Sequence, residues 1–156
     1  MTVAVFDIDG VVADVRHRLH FLHGRHAWHA FFEDAAADPL LAEGAALVAD
    51  LAREHDIVWL TGRPDWLRRV TKTWLDEHQL PSDELHMRPG GDFRPARYYK
   101  LDVLRSIARK RVIAAVIDDD AEVIDTAVAA GFPAVLAEWV PRDEAMREAQ
   151  ERYGRT

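Results

Sequence analysis

The sequence has no cysteine in its 156 residues, which excludes disulfides, thiolate zinc sites and a cysteine nucleophile. That absence fits a cytoplasmic protein. Long apolar runs are missing too. Segments such as Ile113–Ile117 are far too short to cross a bilayer, so no membrane partner is expected. The N-terminus reads MTVAVFDIDG, without the basic start of a secretory signal, and meets its first acid at Asp7. Positive charge is in short supply, with 20 Lys+Arg against 27 Asp+Glu and a formal net charge of −7. Such a balance argues against coating nucleic acid by charge alone. Lysine is the scarcest cation: Lys72, Lys100 and Lys110 stand against seventeen arginines. No G-x-x-x-x-G-K-[ST] occurs, so no nucleotide-binding kinase half is expected in this chain. Repeats and low-complexity tracts are absent as well.

What is present reads as one ordinary domain, 1–156, with 49% hydrophobic and 30% charged residues. Thr2–Ile8 is β-branched and aromatic, a buried strand ending in acids. A helix is predicted over Leu40–Glu54 after Pro39, then a short strand Ile57–Leu60 closed by Thr61-Gly62. Pro64 precedes a helix with Trp66, Val70, Trp74 and Leu75 on one face. Leu85–Met87 is a weak third strand, and Arg88–Ala96 a Pro/Gly loop. Helix Arg97–Arg109, strand Val112–Ile117, helix Ala121–Ala130, strand Ala134–Leu136 and a polar helical tail near Arg142–Tyr153 complete the chain. The alternation predicts an α/β fold, a doubly wound parallel sheet with helices on both faces. Residues 10–38 are irregular and form a candidate lid or cap.

Open α/β sheets bind ligands beyond the carboxyl ends of their strands, where this sequence gathers its chemistry. Asp7 and Asp9 follow the first strand, Thr61 ends the second, and Asp118-Asp119-Asp120 end the fourth. One carboxylate can attack a phosphoryl group to form an acyl phosphate. A second, two residues on, can protonate the leaving oxygen and then deprotonate water. Mg²⁺ takes hard oxygen ligands such as these, and Asp118 and Asp119 would complete its site. Repulsion among the acids itself calls for a cation. Thr61 offers a hydroxyl and Gly62 an unobstructed amide beside a helix start, an anion-binding combination. Lys100 supplies a compact positive charge for phosphate. Each piece alone also has a plain reading as a turn, a cap or a solvated charge.

His17, His20, His23, His26 and His29 recur every third residue, a spacing that fans them around a helix and assembles no single metal site. They read as a polar lid, with Phe21, Leu22, Trp28, Phe31 and Phe32 as its packing face; Trp28 could alternatively stack a base. Trp59, Trp66, Trp74 and Trp139 are assigned to packing.

The ordered set VFDIDG, WLTGR, Lys100 and VIDDD resembles the four motifs of the haloacid dehalogenase (HAD) superfamily of phosphatases. That resemblance implies a Rossmann-like core with a minimal cap, Asp7 as nucleophile, and Asp9 as general acid/base. It further implies Mg²⁺ held by Asp7, the Asp9 backbone carbonyl and Asp119, with Asp118 assisting. Thr61, Gly62 and Lys100 would bind the transferring phosphoryl group. DIDGVVADVRHRL, LHMRPGGDFRPARYYK and IDDDAEVID are similar, more narrowly, to the 3′-phosphatase domain of bacteriophage polynucleotide kinase–phosphatases. On that pattern Arg18, Arg63 and Arg88 would serve the substrate. The chain departs from it at Ala96, where the pattern is acidic, and at Asp120, where it commonly has arginine. The function implied is removal of a 3′-phosphate from nucleic-acid ends. Two alternatives stand beside it: the same chemistry on a small phosphorylated metabolite or nucleotide, and a non-enzymatic phosphoacceptor domain of the receiver kind. Receivers carry the acceptor aspartate on a middle strand and the lysine last, an order this sequence does not follow.

Overall fold

The computed structural model describes residues 2–156. Five parallel strands form one sheet in the order β3-β2-β1-β4-β5. They are β1 (Thr2–Phe6), β2 (Asp56–Pro64), β3 (Leu85–Arg88), β4 (Val112–Asp118) and β5 (Ala134–Leu136). Six helices accompany them: α1 (Trp28–Glu33), α2 (Ala42–Leu51), α3 (Arg68–Glu77), α4 (Ala96–Ala108), α5 (Ala121–Ala129) and α6 (Glu144–Glu151). The first strand is central, and the direction of winding reverses between β1 and β4. That crevice is where a doubly wound sheet takes its ligand.

Side chains alternate across β1. Ala4 and Phe6 pack with Val48, Trp59, Trp74 and Leu75, so this face is covered by α2 and α3. Val3 and Val5 pack with Val58, Tyr99, Leu104, Ile107 and Ala127, so the opposite face lies under α4 and α5. A period of two on a doubly covered strand demands apolar residues on both faces, which Val3 to Phe6 supply after the half-buried Thr2.

Several boundaries differ from the sequence expectation. The second strand does not stop at Thr61-Gly62 but continues to Pro64, because Thr61 pairs with Met87 and Pro64 with Arg88 across a register shift. Gly62 is therefore strand residue rather than a helix start; α3 begins only at Arg68, after a 3₁₀ turn at Asp65–Leu67. Trp66 lies in that turn and is 53% exposed, so it is not a packing residue, whereas Trp59 and Trp74 are buried. Residues 10–38 are also less irregular than expected. They contain 3₁₀ segments at Arg16–Leu22 and Asp34–Ala37 besides α1. Their Val15, Leu19, Leu22, Phe31 and Phe32 form a cluster with Leu67 and Met87, and with Met146 and Ala149 of α6.

Gly44, on α2, shows how closely this segment is seated. A Cβ there would lie 1.8 Å from the Val11 carbonyl oxygen, a backbone atom with little freedom to retreat. Gly44→Ala is expected to destabilise the fold by about 1–3 kcal/mol, the usual cost of overpacking. A urea denaturation midpoint equal to that of the parent would contradict this close approach.

Candidate active site

The ends of β1 and β4 bring three carboxylates together. Asp7 continues β1, its amide donating to the Ile117 carbonyl at 2.9 Å, while Asp118 ends β4. One oxygen each from Asp7, Asp118 and Asp119 lie within 4.8 Å of one another. Gly10 makes room for this group. Its φ is +78°, and a Cβ there would fall 2.1 Å from an Asp119 carboxylate oxygen. The glycine of D-I-D-G thus serves both a left-handed turn and a close approach.

Lys100, buried on α4, sits between two of the acids. Its Nζ lies 2.6 Å from Asp118 Oδ2 and 3.1 Å from Asp7 Oδ1. Burial works against this ammonium, but Asp118 and Asp7 outweigh it and raise its pKa. One lysine does not balance three carboxylates. Burial, then Asp118, push the Asp7 carboxyl well above its ordinary value despite Lys100. The same two causes lift Asp119 to about 7. A cluster of hard oxygens that resists holding its full charge fits a divalent cation such as Mg²⁺.

Asp9 belongs to a different group. Its carboxylate is not among the three clustered acids, so only its backbone carbonyl is left for a metal role. Arg63 donates to Asp9 Oδ1 through Nε at 3.0 Å and Nη2 at 2.6 Å, and Arg18 Nη2 donates at 3.2 Å. Burial raises the Asp9 pKa, but the Arg63 and Arg18 charges overcome it and hold the carboxyl down at about 2. The two neighbouring aspartates therefore lean opposite ways.

Asp38 completes this second group, and sequence reasoning missed it. It accepts from Arg18 Nε and Nη2, both at 2.8 Å, and from Arg63 Nη2 at 3.0 Å. His17 Nε2 lies 2.6 Å away. Nothing local separates Asp38 from the exposed Glu33 and Asp34 beside it; only the fold turns it inward. Thr71 was missed similarly, and meets Arg63 Nη1 at 3.1 Å.

Arg18, Arg63 and Arg88 are all buried, and their guanidiniums already hold protein partners. Arg18 also donates to the Phe31 carbonyl at 3.2 Å and stacks on that ring. Arg88 donates to the carbonyls of Gly62, Asp92, Arg94 and Thr156 at 2.8–3.3 Å. Thr156 was unforeseen here: its hydroxyl donates to Asp9 Oδ2 at 3.1 Å. Its backbone also covers Gly62, where a Cβ would lie 2.1 Å from the Thr156 carbonyl carbon. The side of Gly62 that lacks a side chain is thus filled by Thr156. Thr61 is buried, its hydroxyl accepting from the Arg63 amide at 3.1 Å rather than capping a helix.

The lid histidines do not converge. His17 reaches Asp38, His26 stacks on Trp28 at 5.0 Å, and His29 stacks on Trp66 at 5.8 Å.

The family described as the polynucleotide kinase PNKP phosphatase domain matches residues 1–136. The chain belongs to that family. It is a HAD-type phosphatase domain, which sets aside the non-enzymatic receiver reading. Its fold is similar to a chain in the structure of the Pnkp1/Rnl/Hen1 RNA repair complex, with a TM-score of 0.74 and 22% identity. That match covers 90% of this chain but 43% of the other, so the domain spans less than half of that relative. The class C acid phosphatase from Bacillus anthracis matches with a TM-score of 0.63 and 14% identity over 78% of this chain and 52% of its own. The putative HAD-hydrolase YfnB from Bacillus subtilis, a structure bound to magnesium, matches at 0.61 and 12% over 86% and 87%. No curated protein matches in sequence. No helix among the described residues is long and apolar enough to cross a membrane.

The Asp38 geometry makes a direct prediction. Asp38→Ala would leave Arg18 and Arg63 sharing Asp9 alone in a buried setting, and should cost about 3–5 kcal/mol of stability. Urea denaturation measures it, and a loss below about 1 kcal/mol would show that Asp9 suffices for both guanidiniums.

Proposed function

We propose that the domain removes 3′-phosphates from nucleic-acid ends through an aspartyl-phosphate on Asp7, with Mg²⁺ as cofactor. The observation that carries this reading is the pairing of two unlike aspartates at one strand end: Asp7 joins Asp118 and Asp119, while Asp9 is held apart by arginines. Family membership supports the polynucleotide substrate.

Asp7, Asp118, Asp119 and the Asp9 carbonyl would hold the metal, whose charge would keep Asp7 ionised and offset that of the phosphoryl oxygens. In the first step an Asp7 oxygen bonds to phosphorus as the bond to the 3′-oxygen breaks. Asp9 gives that oxygen its proton. In the second step Asp9 takes a proton from water, the water oxygen bonds to phosphorus, and the Asp7–phosphorus bond breaks to release inorganic phosphate. Thr61, Gly62 and Lys100 are assigned to the phosphoryl oxygens, where fixed donors stabilise charge developing in the transition state.

The ion pairs around Asp9 favour its carboxylate form, the form needed to activate water. Acting first as an acid requires those pairs to weaken when the substrate's phosphate arrives and competes for Arg63 and Arg18. Through that exchange, Arg18 and Arg63 act on substrate and on Asp9 together. Arg88 would likewise trade the Thr156 carbonyl for a substrate oxygen. Residues 10–38, which carry Arg18 and Asp38, serve as a small cap over this exchange.

Asp7→Asn should keep the fold and lose turnover by several orders of magnitude, since no other carboxylate can replace the nucleophile; full activity in that variant would sink the assignment. Phosphate release should be faster from a 3′-phosphorylated oligonucleotide than from its 5′-phosphorylated counterpart or from glycerol phosphate. EDTA should stop it and added Mg²⁺ restore it. Preference for the small ester would favour metabolite chemistry, and release undiminished by EDTA would refute the metal role.

A further inference from the structure

Next to the phosphatase site an aromatic recess of about 370 Å³ opens at the surface, with Trp28, Phe32, Trp66 and Phe93 among its walls. Trp66 and Phe93 are 53% and 52% exposed, leaving ring surface open to a ligand. Arg88 and Pro64 also line the recess, so it adjoins the end of β2 that carries Thr61, Gly62 and Arg63. Asp92 is the one carboxylate in the lining, and it is already paired with Arg94 at 3.0 Å. Repulsion of an anionic ligand is therefore small.

Residues 154–156 span both places. The Arg155 guanidinium lies 4.4 Å from the centre of the Phe93 ring and 5.4 Å from that of Trp28. The next residue, Thr156, contacts Asp9 and Arg88. A flat, delocalised group thus sits against the aromatics while oxygen atoms one residue away occupy the polar site. A nucleotide has the same layout: a planar base beside a phosphate. Gly154 lets this segment approach, since a Cβ there would lie 2.0 Å from the Phe93 carbonyl oxygen.

We propose that this recess seats the nucleobase next to the scissile phosphate, and that Arg155 and Thr156 stand in for base and phosphate until substrate displaces them. The proposal rests on the reading of the domain as a polynucleotide 3′-phosphatase. Stacking on aromatic side chains suits any base, so it confers dependence on a base without dependence on sequence.

The test compares kcat/KM for two 3′-phosphorylated oligonucleotides that differ only in the last nucleoside, one natural and one abasic, with glycerol phosphate as a third substrate. The parent should favour the natural end by about 10-fold or more, within the range of base–aromatic stacking. In Phe93→Ala and in Trp66→Ala, whose side chains are exposed, that ratio should fall towards unity. The ratio compares substrates on one enzyme, so a general loss of activity does not mimic the effect. Equal turnover of the two ends by the parent, or a ratio preserved in both variants, would overturn the base seat while leaving the 3′-phosphatase reading intact. Turnover of glycerol phosphate with neither oligonucleotide cleaved would overturn both.

Discussion

Burying a carboxylate is costly unless a cation is buried with it, and this domain buries several at one strand end with unequal compensation. On one side, Lys100 pairs with Asp7 and Asp118, and Arg142 reaches the third acid, Asp119, only at its backbone carbonyl. On the other, two guanidiniums, Arg18 and Arg63, face Asp9 and Asp38. The first group has too little positive charge and is suited to a divalent ion. The second is balanced and needs nothing further. Asp7 and Asp9 are two residues apart and both buried, yet burial and then Asp118 raise the pKa of one, while Arg63 and Arg18 overcome burial and lower that of the other.

This imbalance assigns work to distant parts of the chain. The lysine comes from α4, where the helix packs beneath β2 and brings Lys100 to the strand ends. Arg18 and Asp38 come from the segment after β1, held in place by the aromatic cluster around Phe31 and Phe32. Asp38 ties that segment to Arg63 at the end of β2, and its backbone carbonyl accepts from Trp74 Nε1 on α3 at 2.8 Å. The segment after β1, the sheet and α3 therefore meet at a single residue. Because the arginines are spoken for, the proposed function has the domain grip phosphate by exchanging partners rather than by presenting free charges. Under that proposal an acidic protein would hold one phosphorylated end without attracting nucleic acid along its whole surface.

Much of the architecture was legible because it is written in local patterns. Strand residues TVAVF, the helix of Ala121–Ala129 and the strand Ala134–Leu136 follow from periodicity and from Gly131 beyond the helix. The second strand was not, since Thr61-Gly62 has the local look of a turn. Pairing with β3 carries the strand on to Pro64, and pairing is a property of the neighbour rather than of the segment. Trp66 was misjudged for a related reason. Its spacing matches Val70 and Trp74, but the 3₁₀ turn that holds it rotates the ring away from the helix face.

The sequence by itself determined the chemistry on offer: which acids follow which strands, one lysine ahead of the fourth strand, and a glycine after D-I-D. These are facts of order and spacing, which a parallel sheet converts directly into proximity at its carboxyl edge. Only the tertiary structure decided how those groups are charged and which of them are free. Whether an aspartate is held at about 2 or pushed up depends on which cations lie within a few ångströms. Those cations, the Asp38 that shares them and the Thr156 that bonds Asp9 itself reach it from 9 to 147 residues away along the chain. Coulomb energy falls with distance in space and takes no account of distance in sequence.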